Sequence, residues 1–385
     1  MKIYDVVILG GGASGLMCAA FLDKNLDVAI IEKNNQFAKK LKISGGGKCN
    51  ITNTSVSLDN FEGDELLVST ILDSFSKDNL LDFLDAEGIE LELRKNRYYF
   101  CKNSSDDIID VLKNKIKNVD KFLGEDVVDV VKTDNLFEIK TTHDVYEAKR
   151  IVVATGGKSF AQLGATDIGL QIAKKFDIKV REFTPALVGL TLQKEQFWMK
   201  ELSGLSFYVH IKVADKIIKE DMLFAHKGIS GPAVLSASLF WKNGMIGIDF
   251  LPNYRVVDVI QKGKNKLLSS AIPLPKRFLK TFLNAMGIED TECKKVTKDM
   301  IDRLEVIHNY KFAPAGNFGF SKAEVSSGGV LADELNIISL ESVKVNGLHF
   351  IGEIVDVTGE LGGYNFQWAF SSAISCARAI NSEII

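Results

Sequence analysis

Four glycine-bearing segments hold the residue types that could do chemistry in this chain of 385 residues. The first, Gly10-Gly11-Gly12-Ala13-Ser14-Gly15, fits G-x-G-x-x-G and follows the apolar run from Ile3 to Leu9. Glycine at 10 permits a tight strand-to-helix turn, at 12 lets a pyrophosphate approach the backbone, and at 15 lets the helix lie close to the strand. The helix that follows, read from Leu16 to Leu22, offers unpaired N–H groups and a positive dipole end to phosphates. Val28 to Ile31 reads as a second buried strand. It ends at Glu32, 22 residues after Gly10, where a carboxylate accepts the ribose hydroxyls of an adenosine. Together these point to a bound dinucleotide, with Ala13, Ser14 and Lys33 beside it.

The second segment, Ser44-Gly45-Gly46-Gly47-Lys48-Cys49-Asn50, reads either as a solvated linker or as a loop whose backbone lies against the cofactor. Close approach is a main reason to use glycine, which favours the loop, with Lys48 and Asn50 as polar contacts. The third follows the buried run from Ile151 and comprises Ala154-Thr155-Gly156-Gly157, at a strand's carboxyl end, where ligands sit. The fourth runs from Gly352-Glu353 through Asp356 to Gly362-Gly363-Tyr364-Asn365-Phe366, before a helix read from Trp368 to Ile380. Two helix N-termini far apart in sequence suit FAD, bound without a covalent link. One faces the pyrophosphate; the other stabilises negative charge on the reduced flavin ring. Val128 completes the expected cofactor contacts. Three side chains are candidates for catalysis: His226, whose ordinary pKa lies near neutrality, Cys49 as a thiol, and Lys48. Buried structural cysteine and hydrogen-bonded structural histidine remain the alternatives.

The elements that must position these residues can be read from the pattern. Helical spacing places Leu66, Leu67, Ile71, Leu72, Phe75, Leu80, Leu81 and Leu84 in a core, with Tyr98 to Cys101 either a strand or an aromatic wall of that core. Asp126 to Val131, Leu136 to Thr141 and Val145 to Lys149 read as a β-meander ahead of a separate strand from Ile151. Beyond Phe183 the character changes: a hairpin from Leu205 to Phe224, a helix begun near Pro232, a strand from Met245, then a lysine-rich helical stretch to about Leu304. The expected fold class is therefore α/β. A Rossmann-like FAD-binding domain, a parallel sheet with a β-meander (1–185 and 325–385), is interrupted by a β-barrel-like insert (186–251 and 305–324) carrying a small helical subdomain (252–304).

Hydrophobic content of 46% and charged content of 25% are ordinary for a globular protein, and the net charge of -3 argues against bulk attraction to nucleic acid. No apolar stretch reaches the length of a bilayer span, and the N-terminal run lacks a signal-peptide pattern, so no membrane is expected. The five cysteines form no C-x-x-C pair, which suggests neither a disulfide framework nor a metal site, and a reducing cytoplasm is the expected location.

Lys42 to Asn53, Ala154 to Gly157, Ile229-Ser230-Gly231-Pro232-Ala233, and Gly352-Glu353 through Asn365 resemble the corresponding pieces of the bacterial BaiN-like, or aminoacetone-oxidase-like, flavoproteins of the glutathione-reductase-type FAD superfamily. The resemblance runs nearly end to end. It departs where the usual Arg before Cys-Asn is Lys48, and where an aromatic-proline pair is Phe160-Ala161. It implies an FAD-dependent oxidoreductase with a β-barrel-like and helical insert. The leading expectation is hydride transfer from NADH or NADPH, docking transiently because no second G-x-G-x-x-G is present, to an unsaturated small-molecule acceptor. The alternatives are reduction of a pyrimidine in RNA, with Lys262, Lys264, Lys266, Lys276 and Lys280 as a phosphate-binding face; amine oxidation; and flavin binding without catalysis. The substrate pocket is expected between flavin and insert, near Lys48 to Asn50, His226 and Tyr364-Asn365.

Overall fold

The structure, a computed structural model, describes residues 2–383 and divides into two compact units, Met1–Thr184 with Val325–Ile385, and Pro185–Glu324. In the first, the apolar runs Ile3–Leu9 and Val28–Glu32 lie side by side as parallel strands and are buried along most of their length, as near-continuous apolar runs in parallel sheets are. Their sheet runs Asp120–Leu123, Val28–Glu32, Ile3–Leu9, Val145–Val153, Leu136–Thr141, Val127–Thr133, with Leu348–Phe350 added against Val145–Val153. That strand divides its outer edge between two partners: residues 145–148 pair antiparallel with Leu136–Thr141, and residues 151–153 pair parallel with Leu348–Phe350. The meander strand and the strand from Ile151 are thus one nine-residue strand, not two. Lys149-Arg150 contains no turn former, so the backbone simply continues while its partner changes.

Register brings the glycine segments to one row. Leu9 pairs with both Ile31 and Val153, and Val153 pairs with Phe350. Gly10, Glu32, Ala154 and Ile351-Gly352 therefore leave the sheet from the same edge.

Two helices flank this row. Ala13–Phe21 packs against Tyr364–Ser382, whose first residue precedes the expected start by four because Gly363 serves as its N-cap in a left-handed conformation (φ +92°). In Glu65–Ser74, Leu67, Val68, Ile71 and Leu72 form the buried stripe, which leaves Leu66 62% exposed instead of in the core. Tyr98–Cys101 is a strand, the centre of a three-stranded sheet between Asn50–Asn53 and Leu91–Arg94. Its aromatic residues are half-buried, not core. Two guanidinium groups cover their open faces, Arg94 over Phe100 at 4.5 Å and Arg97 over Tyr98 at 5.3 Å.

The second unit holds a seven-stranded sheet in the order Tyr310–Phe312, Ile246–Asp249, Ser206–Val213, Lys216–Ala225, Gly228–Ser230, Leu190–Thr191, Gly316–Asn317. Its first and last strands are consecutive in the chain. From Phe312 to Gly316 the backbone spans about 14 Å at most, so the two edges lie near one another. The helices Val256–Gly263 and Lys276–Ala285 share a single core with these strands. Phe278 is its hub, 4.8 Å from Phe250, 5.0 Å from Phe207 and stacked on Phe282 at 5.5 Å between ring centroids.

Candidate cofactor site

Backbone contact dictates the first turn. A Cβ on Gly10 (φ +107°) would stand 2.5 Å from the Ala154 carbonyl oxygen, and one on Gly15 would stand 2.0 Å from that of Gly10. These two glycines serve the protein's own packing. Gly12 differs: nothing lies within 4 Å of its missing side chain, and the same holds for Gly46 and Gly47. Gly12 is also the N-cap of Ala13–Phe21, whose first turn no side chain caps. Room for a ligand, open N–H groups and a positive dipole end together make an anion site.

Glu32, only 9% exposed, stands at the end of its strand as expected. One carboxylate oxygen accepts from the Gly11 N–H at 2.7 Å; the other accepts from the N–H and side-chain amide of Asn34, each at 2.7 Å. The carboxylate is therefore fixed beside the glycine turn. Lys33 reaches Asp126 at 2.7 Å, and the Glu125 N–H donates to the Glu32 carbonyl, which draws the start of the Val127–Thr133 strand, with exposed Val128, toward the same end.

The Lys39–Gly47 segment is helical only to Ile43. Ser44 is extended and Gly45 and Gly46 are left-handed, so the chain turns sharply into the Asn50–Asn53 strand. This strand is stapled to the final helix. Thr52 Oγ1 donates to Gln367 Oε1 at 2.7 Å, Asn53 Nδ2 donates to the Gly362 carbonyl at 3.1 Å, and a Cβ on Gly363 would strike Thr52 backbone atoms at 2.7 Å. The Asn50–Asn53 strand, into which the Gly45–Gly47 turn leads, thus meets the Gly362–Gln367 segment. Tyr364, nearly fully buried, takes a hydrogen bond from Arg97; burial outweighs that bond and pushes its phenol up. The Asn365 side chain closes the turn on Gly359.

The third strand end joins the first and fourth. Trp368 Nε1 donates to the Gly352 carbonyl at 3.0 Å, and the Gly352 Cα lies against the Ser14 side chain. Glu353 accepts from Lys40 at 2.8 Å and from the Ser326 N–H at 2.8 Å, while Ser326 Oγ accepts from the N–H groups of Lys158 and Ser159, just beyond Gly156-Gly157. Asp356 pairs with Arg181 at 2.6 Å. The Thr155 hydroxyl is buried and has no hydrogen-bond partner among the described residues, an unsatisfied group in the row of strand ends.

Two expected contacts are redirected. The Lys48 ammonium donates to the Lys102 carbonyl at 3.0 Å and lies 3.6 Å from Glu92, so it is committed to the small sheet. Cys49 is fully buried with φ +46°, and burial pushes its thiol well above the ordinary range, which is the opposite of an activated thiolate. His226 belongs to the other unit, exposed in the turn between Lys216–Ala225 and Gly228–Ser230. Sequence reasoning missed Asn34, Lys40, Thr52, Ser326 and Gln367, which hold the segments together. Only the Ser326-Ser327-Gly328-Gly329 doublets offered a signal.

The residues present fit FAD. Gly12 and the Ala13–Phe21 N-terminus would take the pyrophosphate, Glu32 the ribose, and Gly46-Gly47 with the uncapped Tyr364–Ser382 N-terminus the remainder. Such a cradle in a Rossmann sheet defines an FAD-dependent oxidoreductase. More narrowly, the chain belongs to the family described as HI0933-like protein Rossmann domain, whose profile matches residues 4–379. It is 34% identical to the ribosomal RNA dihydrouridine synthase of Haemophilus influenzae and 32% identical to that of Escherichia coli, over 98% of each chain in both cases. It is 27% identical to the 3-dehydro-bile acid delta(4,6)-reductase of Clostridium scindens, over 97% of this chain and 98% of that one. The solved 3-ketosteroid delta1-dehydrogenase from Sterolibacterium denitrificans shares its fold, with a TM-score of 0.51 at 11% identity over all of each chain. Among the described residues no helix is long and apolar enough to cross a membrane.

Proposed function

We propose that this protein reduces a carbon–carbon double bond conjugated to a carbonyl group, with NADH or NADPH as electron donor, and that its acceptor is a uracil ring in RNA. The observation that carries this reading is end-to-end likeness to enzymes whose names share one bond type. A dihydrouridine synthase saturates the C5–C6 bond of uridine, conjugated to C4=O; a delta(4,6)-reductase of a 3-dehydro-bile acid acts on carbons conjugated to the 3-oxo group. The two relatives of higher identity favour the uracil ring over the small-molecule acceptor.

FAD, when bound, supplies the hydride that such a reduction adds to one carbon, the other taking a proton. The chain's own residues bind and orient. Glu32, held by Gly11 and Asn34, would fix the adenosine end. The Thr52–Gln367 and Asn53–Gly362 bonds hold the strand that follows the Gly45–Gly47 turn against the start of the Tyr364–Ser382 helix, whose dipole favours negative charge there.

The deciding experiment is anaerobic. The holoprotein, reduced by NADPH or NADH, is mixed in turn with unmodified ribosomal RNA transcripts and with a steroidal enone, and the flavin spectrum is followed. Reoxidation by RNA, with uridines gaining two hydrogens by mass spectrometry of the digest, is the expected result. Reoxidation by the enone alone would instead establish a small-molecule reductase.

A further inference from the structure

Charge is divided unevenly between the two units. Residues 185–324 contain twenty Lys and Arg against fourteen Asp and Glu, whereas the rest of the chain contains twenty-seven against thirty-six. Most of the basic surplus lies in residues 252–304, with eleven against six. Within this stretch the Val256–Gly263 helix and its flanking loops form a broad open hollow of about 650 Å³. Tyr254, Arg255, Asp258, Lys262, Lys266 and Pro273 line it.

Three observations set this hollow apart from an ordinary solvated helix face. Arg255, Lys262 and Lys266 are all exposed, and among the described residues none has a carboxylate within ion-pair distance, although Asp258 shares the hollow. The nearby Lys294 and Lys295, by contrast, are drawn to Glu292. Tyr254 stands 53% exposed at the rim, an aromatic face open to stacking. Lys264 adopts φ +48°, a strained conformation for a lysine, between Lys262 and Lys266. The adjacent Gly263 is taken up by contact with Cys293, where a Cβ would stand 2.4 Å from the sulfur.

Uncompensated cations around a hollow, with an aromatic ring at its edge, suit a single-stranded nucleic acid: phosphates meet the cations and a base stacks on the ring. We infer that this face of the insert binds the RNA backbone, with Arg255, Lys262 and Lys266 on phosphates and Tyr254 stacked on a base. This rests on the proposed RNA acceptor.

The test uses the FAD-loaded protein and two probes, a labelled oligouridylate and an unmodified ribosomal RNA transcript, with affinity measured from low to moderate salt. Combined Arg255→Glu, Lys262→Glu and Lys266→Glu substitutions should lower affinity at least tenfold and flatten the slope of log affinity against log salt by about 2. Tyr254→Ala should lower affinity roughly tenfold and leave that slope unchanged. Unchanged tryptophan emission from Trp198, which packs in the insert core 6.1 Å from Phe278, reports that the variants are folded. Wild-type binding that survives the triple substitution would place the RNA site elsewhere and overturn the inference while leaving the RNA reading intact. Equal binding to phosphatidylserine vesicles, lost in the same variant, would overturn it in favour of a membrane face. Absence of any wild-type RNA binding overturns the inference. The reading itself fails separately, if no dihydrouridine forms, because the binding measurement needs no turnover.

Discussion

The two units are specified by different means. In the cofactor unit, close backbone approach does most of the work: Gly10 against Ala154, Gly15 against Gly10, Gly363 against Thr52. The insert has one equally close approach, Gly228 against Leu190, but its core is built from side chains, the aromatic cluster around Phe278. The contrast teaches that a site for a large, rigid cofactor is written mainly as absent side chains. A packing core is written as volumes, which many sequences satisfy.

The sharpest way to break this contrast is a pair of glycine substitutions. Gly12→Glu should yield protein without flavin but with its fold intact, because the new side chain enters open space and repels the pyrophosphate. Gly15→Val should lose both flavin and the cooperative unfolding of the cofactor unit, since its Cβ would overlap the Gly10 carbonyl. Flavin absorbance per protein and near-ultraviolet circular dichroism separate the two outcomes. A full flavin complement in Gly12→Glu would remove that turn from the cofactor site.

A core truncation should show the converse. Phe278→Ala is expected to destabilise the insert by about 3–5 kcal/mol while flavin content stays at the wild-type level. Denaturant titration followed by tryptophan emission measures it, as Trp198 packs 6.1 Å from Phe278. Simultaneous loss of flavin would show that the units are not independently specified.

Smaller effects refine the picture. Glu32→Ala should weaken FAD binding by about 1–3 kcal/mol, the value of a charge-assisted hydrogen bond, measurable by titrating apoprotein with FAD. At the bottom of the scale is Cys49. Burial raises its thiol, so the folded state holds that proton more firmly than the unfolded one. Its contribution is complete below the ordinary thiol pKa and declines as pH rises beyond it. Iodoacetamide at pH 8 should leave Cys49 unmodified in the native protein and alkylate it after unfolding. Rapid native labelling would restore it as a reactive residue.

The same division explains what was legible. Gly10 to Gly15, Glu32 and Gly362-Gly363 could be read because each residue type has few physical reasons to stand where it does. Thr52 and Gln367 could not, since their bond joins residues 315 apart and no local pattern announces it. The partners of Lys48 were hidden for a related reason: Lys102, just past the Tyr98–Cys101 strand, and Glu92, in Leu91–Arg94, reach it only through a tertiary pairing. The meander was divided one strand too many because periodicity marks runs of residues, not changes of partner.

The shared edge of Val145–Val153 imposes an order in time. Half of that edge is filled by a strand that precedes it closely in the chain, the other half by Leu348–Phe350, about 200 residues later. During synthesis the ribosome therefore releases the whole insert before the sheet can be finished, and the helix that follows Gly363 emerges later still. A nascent chain paused within the insert already carries the glycine turn and Glu32 but lacks the strand and helix that complete the cradle. Flavin capture is thereby deferred until the chain beyond Gly363 has been made.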